Sequence, residues 1–262
     1  MLILFWGIFG LVIGSFLNVV IWRLPRGEKL SSPPSACPKC GRYIAAYDNI
    51  PLVSWLVLRA KCRGCGAPIS ARYPAVELLT GLVFAGVAWK FDSSVWDLRD
   101  MALYLPFLYV AAIGVALAFI DLDTHKLPNK IVLPAYLVLP ALLALATWGS
   151  ELAWSRMLQA LIGCVALYAF YFVLCIIGGM GFGDVKLAGV LGLALGWLGW
   201  DYLVVGAFMP FLLGGLFSLG LIAVRKVGRK SGIPFGPWMI LGAFIAFAVA
   251  APVANWYLDT FM

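Results

Sequence analysis

Four cysteines and two aspartates are the residues of this sequence whose types and spacing best suit chemistry. The cysteines form Cys37-Pro38-Lys39-Cys40-Gly41 and Cys62-Arg63-Gly64-Cys65-Gly66. Each is Cys-x-x-Cys-Gly, with 21 residues between the pairs. Two such turns can aim four thiolates at one tetrahedral centre, and glycine after the second cysteine relieves the tight turn. Structural zinc is the expected occupant. Four thiolates leave no open coordination position for catalysis. Two disulfides or free thiols are the alternatives, and a reducing compartment disfavours the first of these.

The aspartates are Asp121, in Phe119-Ile120-Asp121-Leu122-Asp123-Thr124-His125-Lys126-Leu127-Pro128-Asn129, and Asp184, in Gly181-Phe182-Gly183-Asp184-Val185-Lys186-Leu187. Both border apolar runs, where a charge is costly and tends to be functional. Two carboxylates sharing a proton can activate water and protonate a leaving group, provided the helices carrying them pack together. Gly181 and Gly183 would let a peptide backbone approach. Helix capping is the plainer alternative. The Asp121-x-Asp123 start is not a calcium loop, because Lys126 stands where glycine is needed and no glutamate follows at the twelfth position. The glycine run lacks the Lys-Ser/Thr of a phosphate loop. His125 is the single histidine, and without a Gly-x-Ser-x-Gly elbow it reads as a loop residue. Glu77 either pairs with Arg72 or faces a polar cavity. Cys164 and Cys175 read as small packing residues.

The elements that must position these groups lie in a bilayer. Of 262 residues, 63% are hydrophobic and 12% charged, and the mean hydropathy is +0.98. A soluble globule this apolar could not cover its surface, and a disordered chain is polar. The composition predicts an all-α polytopic membrane protein with about eight transmembrane helices: 2–22, 74–89, 101–120, 131–148, 157–178, 187–200, 203–224 and 235–258. The runs are too long and too continuously apolar for barrel strands. The glycines at 189, 192, 196 and 199 suit close helix packing. The first run is expected to stay as a helix, since no basic residue precedes it and no small-residue cleavage site follows its core.

Of 19 basic residues, sixteen fall on one set of alternate loops, nine of them within 23–73. The other side holds Lys90, Arg99 and Arg156 with Asp92, Asp97, Asp100, Glu151, Asp201 and Asp259. The positive-inside rule makes the basic side cytoplasmic and leaves both termini outside. The net charge of +7 is therefore a topology signal, and no nucleic-acid partner is expected. The organisation expected is a first helix over 1–22, a small cytoplasmic domain over 23–73 held by zinc at Cys37, Cys40, Cys62 and Cys65, and a seven-helix membrane domain over 74–262. About fifty residues cannot bury a self-sufficient core, which is why a metal is needed.

At these residues the chain resembles the prepilin peptidases, the type IV leader peptidases of pilus and type II secretion systems. Gly14-Ser15-Phe16-Leu17-Asn18-Val19-Val20-Ile21-Trp22-Arg23-Leu24-Pro25 looks like the family's opening motif. The tetracysteine loop follows, then Arg72-Tyr73-Pro74 with Glu77, then Asp121 with Leu127-Pro128-Asn129. The GxGD motif, shared with presenilin-like proteases, is Gly181 to Asp184, and Pro234-Phe235-Gly236-Pro237 resembles a late motif. The resemblance implies that Asp121 and Asp184 are the catalytic pair and Asp123 a neighbour. It implies a prepilin or pseudopilin substrate, cut after a glycine at the cytoplasmic face of the bacterial inner membrane. It also implies methylation of the new N-terminus with S-adenosylmethionine, a bifunctional form with which the tetracysteine loop goes. No methyl-donor pocket is legible in the residues. A membrane transporter using the aspartates as a proton relay is the alternative, though both lie at a membrane face and not at mid-membrane.

Overall fold

The computed structural model describes residues 1–91, 98–148, 153–178, 180–223 and 234–261. Several charges used in the topology reading lie outside the described residues: Asp92, Asp97, Glu151, Arg225, Lys226, Arg229 and Lys230.

The fold is almost wholly helical. Its α-helices are α1 (Leu2–Arg23), α2 (Val53–Val57), α3 (Arg72–Phe91), α4 (Leu98–Thr124), α5 (Asn129–Thr147), α6 (Ala153–Ile176), α7 (Phe182–Leu198), α8 (Trp200–Ala223) and α9 (Gly236–Phe261). Among the described residues there is no strand, only two isolated antiparallel bridges, Ala36 to Tyr43 and Lys61 to Pro68. Among the described residues, seven helices are long and apolar enough to cross a bilayer: α1, α3, α4, α5, α6, α8 and α9. The expected span 187–200 corresponds to α7, a helix of 17 residues. At ~1.5 Å per residue that is about 26 Å, shorter than the roughly 30 Å of a hydrocarbon core. Every residue of α7 from Leu187 to Trp197 is buried, as expected of a helix that is apolar all round. Prolines at 106, 134, 140, 210 and 252 sit inside helices, which apolar surroundings with neighbouring helices tolerate.

The chain separates into two compact units, residues 1–96 with 111–116, and residues 97–110 with 117–262. In the first, α1 packs along α3. A Cβ on Gly14 would lie 2.7 Å from the Glu77 Cα, so only glycine permits that approach. Asn18 Nδ2 donates to the Tyr73 carbonyl at 3.1 Å and joins the two helices directly, while Arg23, at the end of α1, ties the polar segment back by donating to the Lys29, Leu30 and Pro33 carbonyls.

In the second unit, α7 packs closely on α6. A Cβ on Gly192 would collide with the Gly163 carbonyl, which bears out the expected use of the glycine run. Cys164 lies on the same contact, its Cα 3.0 Å from that Cβ position. Arg156, counted in the sequence only as a topology charge, donates to the Trp197 and Leu198 carbonyls at 3.0 and 2.7 Å. It satisfies the open C-terminal carbonyls of α7 and meets the negative end of its dipole. Tyr171, Phe211 and Phe235 form a ring cluster with centroids 5.3 to 6.4 Å apart, joining α6 and α8 to the residues that precede α9.

Candidate active site and metal-binding loop

Asp121 stands in the last turn of α4, which runs on to Thr124. His125 adopts φ +51° and donates its N–H to the Asp121 carbonyl at 2.9 Å, closing the helix. Asp121 is only 5% exposed, whereas Asp123 is exposed. Two residues along a helix are turned by about 200°, so the two carboxylates face opposite ways.

The Asp121 carboxylate has a partner 115 residues away: Gly236 donates its N–H to Oδ2 at 3.0 Å, in a buried hydrogen bond. Gly236 is the first residue of α9. Asp184 is the third residue of α7, and its Oδ2 accepts the Gly181 N–H at 3.3 Å. Each carboxylate thus sits at the N-terminal end of a helix, Asp184 on its own and Asp121 on α9. Unpaired N–H groups and the positive end of the macrodipole favour negative charge there. Asp184 does cap its helix, as the plainer sequence reading held, and it also lies within electrostatic range of Asp121.

Leu127 wedges this arrangement together. A Cβ on Gly183 would meet the Leu127 Cβ at 3.2 Å, and a Cβ on Gly236 would meet the Leu127 Cδ2 at 3.3 Å. The same added atom on Gly236 would lie 2.7 Å from Asp121 Oδ2. The two glycines are therefore the space that lets Leu127 and the carboxylates converge. Asn129 continues the same turn: its Oδ1 accepts from Lys186 Nζ at 3.0 Å, while Tyr136 Oη donates to the Lys186 carbonyl at 2.6 Å. These bonds dock the start of α7 on α5. Tyr136 was not singled out from the sequence, and Gly236 only as part of the late motif Pro234-Phe235-Gly236-Pro237, with no role given to its N–H. Nothing local marks a backbone donor far along the chain.

All six cysteines are free thiols. The sulfurs of Cys37, Cys40, Cys62 and Cys65 lie within 4.8 Å of one another. The two turns are near copies. Gly41 and Gly66 have φ +70° and +68°, and donate to the Cys37 and Cys62 carbonyls, each at 2.9 Å. Cys37 N–H in turn meets the Arg42 carbonyl at 2.9 Å, and Cys62 N–H the Ala67 carbonyl at 2.7 Å. A tetrahedron with metal–sulfur bonds of about 2.3 Å has sulfur–sulfur edges of roughly 3.8 Å. The Cys37 and Cys65 sulfurs are 3.8 Å apart. The cluster is therefore compatible with a structural zinc ion.

The thiols also titrate unlike one another. Backbone N–H groups of Cys40 and Lys39 hold the Cys37 thiol down to about 6. The Ala67 N–H favours the Cys65 thiolate, but burial and the neighbouring sulfurs outweigh it and push Cys65 up to about 11. Four sulfurs this close can all be thiolates only with a cation between them. Arg63, between the cysteines of the second turn, grips Asp48 through Nε and Nη2 at 2.7 to 3.0 Å. That guanidinium holds the Asp48 carboxyl below the usual carboxylate range.

Glu77 is buried at 8% exposure. Its Oε2 accepts the Leu52 N–H at 2.9 Å, and the Ser15 hydroxyl is a further hydrogen-bonding neighbour. Leu52 has φ +59° and ψ −48°, with the Val53 N–H turned back on the Pro51 carbonyl at 2.6 Å. This is the strained, positive-φ form of γ-turn. Neither sequence reading of Glu77 anticipated this backbone partner.

Comparison with known proteins bears on both units. The bacterial peptidase A24 N-terminal domain matches residues 8–91, and the type IV leader peptidase family matches residues 107–254. The chain is 38% identical to a prepilin leader peptidase/N-methyltransferase of Aeromonas hydrophila, over 97% of this chain and 93% of that protein. It is 35% identical to one of Neisseria gonorrhoeae, over 96% and 93%. It is 32% identical to one of Pseudomonas aeruginosa, over 95% and 91%. No solved structure matches.

Proposed function

The chain belongs to the type IV leader peptidase family, and from that premise we propose that it is a membrane aspartyl endopeptidase of the bacterial inner membrane. It removes the basic leader of type IV prepilins or pseudopilins at the cytoplasmic face, and it N-methylates the new N-terminus. The observation that carries this reading is the pairing of Asp121 and Asp184 at the N-terminal ends of two helices, within electrostatic range of each other.

The substrate presents its apolar helix in the bilayer and its leader junction to the carboxylates. In this mechanism the pair shares one proton, one carboxyl protonated and the other ionised. The ionised member takes a proton from water, which attacks the scissile carbonyl. The protonated member polarises that carbonyl and then gives its proton to the departing amine. The helix N-termini at Gly181 and Gly236 steady the charge as it moves between the two residues. S-adenosylmethionine is the expected methyl donor, and no residue of this chain is assigned to hold it. Cys37, Cys40, Cys62 and Cys65 would hold a zinc ion that would cross-link the loop, and four thiolate ligands would leave no open position for cleavage chemistry. With the cysteines in the cytoplasm and α7 counted as a short eighth span beside the seven longer helices, both termini face outward.

Incubation with a prepilin in detergent, with and without the methyl donor, followed by mass spectrometry of the product's N-terminus, separates the two activities. Asp121→Asn and Asp184→Asn should each abolish cleavage while the protein still inserts, and Asp123→Asn should keep most of it. Cleavage retained in either of the first two variants refutes the assignment.

A further inference from the structure

The loop between α1 and α3 carries a feature that neither zinc nor peptide cleavage accounts for. The outward face of α2 is wholly apolar. Val53, Leu56 and Val57 stand at i, i+3 and i+4, one side of a helix, and are 52%, 65% and 71% exposed. The other side is held in place: Ser54 is buried, with its hydroxyl donating to the Tyr47 carbonyl at 2.9 Å, and Trp55 Nε1 donates to the Ile69 carbonyl at 3.2 Å. Ile50, shortly before α2, is also exposed. In water such a patch on a small polar domain would be a liability.

Its depth explains it. Leu52, immediately before α2, donates its N–H to Glu77 Oε2 at 2.9 Å. Glu77 is the sixth residue of α3, a helix long and apolar enough to span the bilayer. At ~1.5 Å per residue its Cα lies about 7.5 Å along the axis from Arg72. Trp55 bonds Ile69, just ahead of α3, so α2 is held at the level where that span enters lipid. Exposed Arg59 and Lys61 follow α2 directly. Basic side chains beside an apolar face are the pattern of segments that lie in a membrane interface, with cations at the phosphates and apolar groups at the acyl boundary.

We propose that α2 is a membrane-interface anchor, its Val53, Leu56 and Val57 face seated at the headgroup–acyl boundary beside α3, with Arg59 and Lys61 on anionic headgroups. The bilayer then holds the cysteine loop at a set height over the end of α1 and α3. The γ-turn at Leu52 and its Glu77 acceptor are the joint that drops the loop to that depth.

The full chain, reconstituted in vesicles of phosphatidylethanolamine and phosphatidylglycerol, supplies the test. Benzoylphenylalanine placed at Leu56 or Val57 and illuminated should give lipid adducts by mass spectrometry, at least fivefold above the same probe at exposed Lys39. Hydroxyl-radical footprinting of the unaltered chain needs no probe. After correction for intrinsic reactivity, Leu56 and Val57 should be oxidised at least fivefold more slowly than Tyr43, whose 64% exposure is comparable. Lipid labelling no greater than at Lys39, or oxidation at the Tyr43 rate, overturns the proposal. So does a probe at Leu56 that captures added prepilin in place of lipid. None of these readouts depends on catalytic activity, so they stand apart from the assignment of the aspartates.

Discussion

Replacing Gly236 by alanine tests whether the α9 N-terminus belongs to the catalytic machinery. The φ of Gly236 lies outside the left-handed region, so alanine meets no backbone penalty there. The effect must come from the added methyl, which would sit 2.7 Å from Asp121 Oδ2 and 3.3 Å from both Asp121 Cγ and the Leu127 Cδ2. Reaching ordinary van der Waals separation requires a retreat on the order of 0.7 Å. The Gly236 N–H to Asp121 bond, now 3.0 Å, then passes the length at which it still counts as a hydrogen bond. A bond to a charged acceptor is worth about 1.5–3 kcal/mol, or roughly 10- to 100-fold in rate. Displacing a reacting carboxylate by nearly an ångström costs a similar factor. Gly236→Ala should therefore lower kcat for prepilin cleavage about 10- to 100-fold and leave KM within about threefold, because the substrate's apolar helix does not depend on this contact. The control is Gly220→Ala in α8, where an added Cβ meets nothing within 4 Å. It should cleave like the parent. A Gly236→Ala enzyme within twofold of the parent kcat would refute the role given to the α9 terminus, whatever the aspartates do.

Three further outcomes are expected. Purified protein should carry about one zinc per chain, and Cys40→Ser or a strong chelator should abolish that binding and expose residues 30–70 to protease; unchanged protection without zinc would show that the loop holds itself. Glu77→Ala should leave the half-buried Leu52 N–H without its acceptor, a loss of about 1 kcal/mol seen as a lower melting temperature, whereas an unshifted melt would show that the γ-turn stands without its clamp. Asp48→Asn should weaken the loop slightly, and less so at high salt because the pair is partly exposed. Arg63 depresses the folded-state value of Asp48, so its stabilisation is complete above the unfolded carboxylate value near ~3.9 and fades only as pH falls toward the folded value. The difference between parent and variant should thus stay flat from pH 6 to 9, and a difference that titrates near neutrality would contradict the pairing.

Much of this molecule is legible residue by residue because its causes are local or compositional. A chain 63% hydrophobic must lie in lipid whatever its fold. The two Cys-x-x-Cys-Gly turns close within five residues each, so their shape follows from nearest neighbours, and the structure shows matched glycine φ values and matched backbone bonds. The glycine run in α7 marks a close helix contact because only an absent side chain allows one. Span ends were less legible. Asp121 looked like the end of a span, yet α4 continues to Thr124, since Thr124 and its neighbours keep helical bonds beyond the apolar stretch.

What the sequence by itself determined is the medium, the approximate helices, the tetracysteine pattern and the pair of aspartates worth asking about. What only the tertiary structure decided is which groups face which. Asp121 reaches a backbone N–H 115 residues later, Glu77 holds Leu52 across 25, and Arg156 caps a helix whose last carbonyls are 41 and 42 residues away. Backbone donors and acceptors are the same at every position of the chain. Their pairing carries no mark in residue identity and is settled only when helices pack and bring one end against another.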